Sequence, residues 1–335
     1  MNFALIICTY MRPNPLLNLL KSVQGQTLYP NQIIIIDGST NNETRIALQN
    51  KNIKGLEYFL VDATHRGLTR QRNFGLTKVG GDISIVCFLD DDIILSPTYF
   101  EKLIGTYTTQ PEAIAVGGYI LGETIWKKSE SNHIGDFYFD GWHRKDGDRF
   151  VLRKRFGLQP TAPPAFFPEA GHGRSVGFLP PSGKVYLVEQ FMGGVSSYKK
   201  EMFDKIQFST YFEGYSLYED AEFCFRLLQL GKLYVNTSAQ CEHHHNPSGR
   251  PNHYKYGKMV MLNGWYVWRV RWPNPSAKAK LKWHDTALLL ALIRFSNIFT
   301  KSNRKAAFME FSGRVVGWFL LIFNQQKVVW KLDKQ

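Results

Sequence analysis

Ile83-Ser84-Ile85-Val86-Cys87-Phe88-Leu89 runs directly into Asp90-Asp91-Asp92. The run is apolar on both faces and too short for a helix, so it reads as a buried parallel strand. Three adjacent carboxylates at its carboxyl end repel one another, and a compensating cation is the simplest physical remedy. In open α/β sheets that edge is also where ligands bind. The alternative is an acidic turn satisfied by solvent.

Outward from this stretch the pattern repeats. Expected strands are 3–8, 32–36, 56–61, 83–89 and 113–121, and expected helices are 15–24, 42–49, 69–77 and 97–106. Strands separated by helices imply a parallel sheet with right-handed crossovers. Periodicity fails from Gly122 to Glu189, a stretch rich in Gly, Pro, Phe and Arg. Such irregular stretches are commonly functional or mobile. Order returns with helices near 199–203 and at 219–230, and strands at 233–236 and 239–242. Two further helices, 286–299 and 306–323, follow Trp272-Pro273-Asn274-Pro275. Charges interrupt both, and neither reaches the roughly 20 apolar residues of a spanning helix. They read as interfacial helices or as ordinary core helices.

The chain has 335 residues, enough for one large domain with an appendage. Its four cysteines form no C-x-x-C pair and fit a reducing compartment. The N-terminal apolar run lacks a basic flank and a cleavage site, so it reads as a first core strand. Charge is uneven: residues 253–335 carry 15 Lys and Arg against 3 Asp and Glu, and six of the eight tryptophans. A basic aromatic tail suits an anionic membrane surface. No nucleic-acid recognition motif accompanies it.

The ends of the first two strands, the Arg66–Gly75 helix start and the acidic triplet would meet at one sheet edge. There they offer hydrogen-bonding loops, an acid for a base or ribose, arginines for phosphate and carboxylates for a divalent metal. Asp220 opens a helix whose backbone N–H groups stabilise its anion, which makes it a candidate general base. Read alone, Glu219-Asp220 is also a plain helix-start signature. His243-His244-His245 follows a strand; a neutral imidazole suits Mn2+ and related ions. His243 is the preferred ligand, with His245 on the same side of an extended chain. A surface histidine cluster is the alternative. Arg70 and Arg72 serve a diphosphate or line a solvated helix face.

In this order, I-C-T-Y-M-R-P, I-D-G-S, G-L-T-R-Q-R-N-F-G, F-L-D-D-D, M-G-G-V-S-S-Y-K-K-E-M-F and Y-E-D-A-E-F-C-F-R resemble glycosyltransferase family 2 over residues 3–250. The resemblance implies an α/β GT-A fold, a Rossmann-like mixed sheet with helices on both faces, followed by a basic helical membrane-associating segment. It implies a catalytic domain over 1–250, with a nucleotide-sugar-binding half at 1–121, an irregular insertion at 122–190 and an acceptor-side half at 191–250. Residues 251–335 form the tail. It places Thr9, Tyr10 and Arg12 in the nucleotide pocket, Asp37 at the base, and Arg72 and Asn73 near the ribose and diphosphate. Asp90 and Asp92 become a D-x-D pair, with Asp92 the direct metal ligand and Asp91 beside the donor. Gly193, Gly194 and Glu219 shape the acceptor side, and Asp220 is the base. Many relatives carry two acids where only Asp37 stands here.

The implied reaction is inverting, metal-dependent transfer from a UDP- or GDP-sugar to a hydroxyl, with Mn2+ or Mg2+ as cofactor. The acceptor is a saccharide or lipid-linked saccharide in cell-surface polysaccharide or glycolipid assembly. Val270-Arg271-Trp272 lacks the Gln of the processive Q-x-x-R-W motif, so the enzyme adds one sugar. It is expected in the cytoplasm, peripheral on the inner membrane face, with no nucleic-acid partner and an open oligomeric state. The alternatives are a silent nucleotide-sugar or membrane-binding protein, and a nucleotidyltransferase; the latter's Gly-rich basic loop is missing from Thr9–Pro13.

Overall fold

In chain order the elements are β1 (Phe3–Thr9), α1 (Pro13–Gln24), β2 (Gln32–Asp37), α2 (Glu43–Leu48), β3 (Leu56–Leu60), α3 (Leu68–Leu76), β4 (Ile85–Asp90), β5 (Ile93–Leu95), α4 (Tyr99–Thr109), β6 (Ala113–Leu121), β7 (Lys127–Lys128), β8 (Asp136–Phe139), β9 (Trp142–Lys145), α5 (Asp148–Arg155), β10 (Val185–Val188), β11 (Val195–Lys199), α6 (Glu219–Leu227), β12 (Lys232–His243), α7 (His253–Arg271), α8 (Ala277–Thr300) and α9 (Arg304–Phe323). The computed structural model describes residues 1–49, 51–122, 124–128, 135–212, 214–244, 251–300, 302–323 and 328. It divides into two compact units, one taking in Met1–Thr124 and Leu179–Pro247, the other Ile125–Phe178 and Ser248–Lys331.

The first unit is built on one mixed sheet of order β10-β12-β6-β11-β4-β1-β2-β3, with β5 paired to β12. β1 is parallel to β2 and β4, and β2 is parallel to β3, as the alternating βα pattern implies. Beyond β4 the sheet changes character: β11 is antiparallel to both β4 and β6.

β1 is apolar on both faces because helices cover both. Phe3, Leu5 and Ile7 join one core cluster with Leu16, Leu19, Leu20 and Val23 of α1 and with Tyr99, Phe100 and Leu103 of α4. α1 begins with Pro at its first turn, where a missing N–H costs nothing. On the other face α3 comes close enough that a Cβ on Gly75 would lie 2.8 Å from Ile6 Cγ2. That approach fixes the height of α3 above the ends of β1 and β2.

Three expectations change. The strands expected at 233–236 and 239–242 are one strand, β12, irregular between Val235 and Gln240. That irregularity lets one strand pair first with β6 and then also with β5. Residues 122–189 hold short elements, β7–β10 and α5, of two to eight residues. Strands this short show no period. The helix near 199–203 is a 3-10 turn, Lys200–Asp204.

In the second unit, α7 stands where no helix is expected. Its indoles face inward: Trp268 stacks on Trp283 at 5.2 Å and donates to the Glu169 carbonyl, and Trp272 donates to the Phe167 carbonyl. Much of the tryptophan richness of the tail is therefore core. α9 starts two residues ahead of the expected Ala306 and is long and apolar enough, by length and composition, to cross a membrane.

Candidate active site

The carboxyl ends of β1, β2 and β4 bring the motif residues to one edge. Cys8 lies opposite Asp90, and Thr9 lies opposite Asp37. The Thr9 hydroxyl donates to Asp91 Oδ2 at 2.7 Å. One Arg12 nitrogen donates to Asp91 Oδ1 at 2.8 Å and to Asp92 Oδ2 at 3.2 Å. Arg12 is thus a counter-charge for Asp91 and Asp92. Burial pushes the Asp91 carboxyl up to about 6, with Thr9 and Arg12 opposing it and Asp92 adding to it.

Asp37 is fully buried, and both of its oxygens are engaged. It accepts from the Ser39 N–H at 2.8 Å and from the Tyr58 hydroxyl at 2.8 Å. Ser39 in turn accepts from the Met11 N–H at 2.7 Å. Asp37 therefore fixes the turn that follows β2. Tyr10, by contrast, is exposed.

Arg66, which the motif offers as a phosphate contact, and Gln71, which sequence reasoning passed over, tie these loops together. Gln71 donates to the carbonyls of Thr9 and Ile36, and Arg66 donates to the Gly38 carbonyl. Both lie within the Arg66–Gly75 motif. The place of Gln71 beside Arg72 in that motif was the available signal. Tyr58 carried none, since it reads as an ordinary strand aromatic.

Arg72 is buried, 2% exposed, and sits among the aromatic rings of Phe88 and Phe208. One nitrogen meets Glu219 Oε1 at 2.6 Å, and another lies 3.6 Å from Asp90 Oδ1. Burial works against its charge, but Glu219 and Asp90 more than offset it. Arg72 thus bridges two acids 129 positions apart. Asn73 spends both side-chain groups on the backbone of Phe208.

Asp90 sits against the Gly193–Gly194 turn, where its N–H donates to the Gly194 carbonyl at 3.0 Å. A Cβ on Gly194 would overlap the Asp90 carboxylate. A Cβ on Gly193 would lie 2.8 Å from the Arg72 guanidinium and 2.9 Å from Glu219 Oε1. Both glycines are therefore required by proximity to charged groups.

Asp220 begins α6 beside them. Its carboxylate accepts from the Ala221 N–H at 2.8 Å and from the Gly193 N–H at 3.3 Å. Burial raises its pKa, the two N–H groups and Arg72 oppose the rise, and Asp90 adds to it. Asp90 is raised in the same way, chiefly by burial and against Arg72. Burial pushes Glu219 up to about 8, with Arg72 working the other way; Glu219 Oε2 is buried without a hydrogen-bond partner. Tyr218, just ahead, is left-handed at φ 71° and turns the chain into α6.

His243, at the end of β12, places Nε2 3.1 Å from Asp92 Oδ1. The His244 N–H donates to the Asp92 carbonyl at 2.9 Å. His245 lies outside the described residues. Among the described residues no group of three or more His, Cys, Asp or Glu side chains converges as a metal site. The Asp92–His243 pair nonetheless suits a hard or borderline cation. The imidazole and the carboxylate lie close enough to serve one such ion together.

Residues 4–165 match the family described as Glycosyl transferase family 2. The chain is 29% identical over 133 residues to a glucosyl-dolichyl phosphate glucuronosyltransferase of Haloferax volcanii, covering 39% of this chain and 42% of that protein. It is 32% identical over 156 residues to a GalNAc(5)-diNAcBac-PP-undecaprenol beta-1,3-glucosyltransferase of Campylobacter jejuni, covering 46% of each. The chain thus spans less than half the length of these curated relatives. Among solved structures it resembles the mannosyltransferase PcManGT from Pyrobaculum calidifontis in complex with GDP-Man and Mn2+. The TM-score is 0.53 at 12% identity, over 97% of this chain and 88% of that one. It also resembles GalNAc-T7 with UDP, GalNAc and Mn2+, with TM-score 0.51 at 15% identity, over 90% of this chain and 58% of that one. These likenesses establish the GT-A fold.

Proposed function

We propose that this chain, whose residues 4–165 match glycosyl transferase family 2, moves one sugar per encounter from a UDP- or GDP-sugar to a hydroxyl acceptor. The anomeric centre is inverted. The observation that carries the reading is the meeting of Asp92 and His243 beside Asp90, with Asp220 held next to Gly193.

Each residue then has a task. The strand-end loops carrying Thr9, Tyr10 and Arg12 line the nucleotide pocket, and Asp37 shapes the base-binding turn through Ser39 and Tyr58. Asp92 and His243 would hold Mn2+ or Mg2+, which would supply countercharge for the departing nucleotide diphosphate. Arg12 and Asp91 orient Asp92. Arg72 positions Asp90 from below rather than reaching the donor, because its charge is already spent on Glu219 and Asp90. Asp220 takes the proton of the acceptor hydroxyl; a buried carboxylate with a raised pKa is the stronger base. Gly193 and Gly194 leave room for the acceptor side of the cleft.

Catalysis is assigned to residues 1–250. The acceptor is read as a lipid-linked saccharide at the inner membrane face, because two relatives are named for dolichyl phosphate and PP-undecaprenol substrates. Residues 251–335 keep the chain there.

The test is titration with UDP and GDP, with and without Mn2+, reading the thermal midpoint. One nucleotide should raise it in the presence of Mn2+, and Asp92→Ala should lose that rise. Asp220→Asn should keep the rise yet slow transfer by about 10²–10⁴-fold. No rise with either nucleotide overturns the proposal.

A further inference from the structure

α9 has two unlike faces. The inner one carries Ala307, Glu310, Gly313, Arg314, Gly317 and Leu321. It lies backbone against backbone on α7: a Cβ on Gly313 would overlap the Tyr254 carbonyl, and a Cβ on Gly257 would overlap the Glu310 carbonyl. The outer face carries Phe308, Val316, Phe319, Ile322 and Phe323, from 37% to 83% exposed. These residues recur at helical spacing along about 22 Å of axis, and no charge interrupts them. The neighbouring α8, tied to α9 by Arg294–Glu310 and by Phe295 against Phe311, exposes Leu292, Phe295 and Phe299.

A surface of this size needs an occupant, and the charges choose it. Lys278, Lys280, Arg304 and Lys305 stand exposed on the same two helices. The acids of these helices are Asp285 and Glu310, and Glu310 is buried against Arg314 and Arg294. A second copy of the chain would set these cations against their own kind. An anionic bilayer opposes them with the right sign.

We propose that the outer stripe of α9, with Leu292, Phe295 and Phe299 of α8, lies in the headgroup region of an anionic membrane. The helix lies in the membrane plane. It does not cross, because its inner face is locked to α7, and α7 would bring Lys255, Lys258, Arg269 and Arg271 into hydrocarbon. This deepens the reading of a lipid-linked acceptor, and rests on that reading for the purpose the surface serves.

The test is flotation of the full chain with phosphatidylcholine vesicles, with and without phosphatidylglycerol. Wild type should bind only the vesicles with phosphatidylglycerol, and less as salt rises. The triple variant Phe308→Ser, Phe319→Ser, Phe323→Ser should bind at least about tenfold more weakly, with an unchanged thermal midpoint because the three side chains are exposed. Lys278→Glu with Lys280→Glu and Arg304→Glu should also lose binding, which guards against a misfolded triple variant. Wild type that does not float, or a triple variant that floats equally well, overturns the proposal. So does a wild-type dimer, seen by sedimentation, that the triple variant dissociates while neither binds vesicles. Nucleotide binding is read separately: wild type that floats but ignores UDP and GDP would sink the transferase reading and leave the membrane surface standing.

Discussion

The glycine pairs Gly193–Gly194 and Gly257–Gly313 both exclude a Cβ, and they exclude it for different reasons. At Gly193 and Gly194 the neighbours are the ends of charged side chains: Asp90, Arg72 and Glu219. At Gly257 and Gly313 the neighbours are backbone atoms of the facing helix. The first pair makes room for polar groups that must stay close to one another, and the second lets two helices touch. A glycine at a site is thus told from a glycine in a packing seam by what it would strike.

That distinction can be broken by substitution. The largest effect is expected from Arg72→Met above about pH 8, where Glu219 is ionised and loses its buried cation; breaking a buried pair costs about 3–5 kcal/mol. Chemical denaturation should show that loss, and a loss below about 1 kcal/mol would make Arg72 a bystander. Gly313→Leu should cost about 3 kcal/mol, because the Tyr254 carbonyl it strikes cannot rotate away. No nearby side-chain truncation should relieve it.

Gly194→Ala should cost less, about 1–2 kcal/mol, since the Asp90 side chain can swing at some expense. In an Asp90→Ala background that cost should nearly vanish, because all three nearest atoms to the added Cβ belong to Asp90. Full additivity of the two changes would refute the distinction drawn above. The smallest effect is one of slope. Burial raises Glu219 to about 8 in the folded chain, above the ordinary glutamate value near 4.5. The folded state therefore binds the proton more tightly than the unfolded one. That contribution is fully present below about pH 4.5 and is lost as pH rises towards 8. Glu219→Gln should flatten the fall of the thermal midpoint over this window; an unchanged slope would place the titration elsewhere.

The sequence disclosed the donor half readily and the acceptor half only in outline. β1, β2, β4 and β6 are continuous apolar runs ended by polar motifs, and a run covered on both faces needs no knowledge of its partners to be recognised. The strand ends therefore identified the edge where Asp37 and Asp90–Asp92 gather. α7 escaped because its nineteen residues bury tryptophans on one side and close-packed glycine on another, which blurs any single stripe. Arg72 was legible as an important arginine, but not as a buried one. Its partner Glu219 is 147 positions away, and no local pattern encodes that distance. Asn73 likewise looked like a ligand contact and is committed to the Phe208 backbone.

β5 follows Asp92 directly and pairs with the end of β12, so that Ile93 lies opposite His243. The acid and the imidazole therefore occupy neighbouring rungs of one ladder, set when the sheet closes. If Asp92 and His243 hold the proposed cation, the two donors already face each other and little chain is left to order. Adding the cation should then leave the hydrogen-exchange protection of both strands as it was.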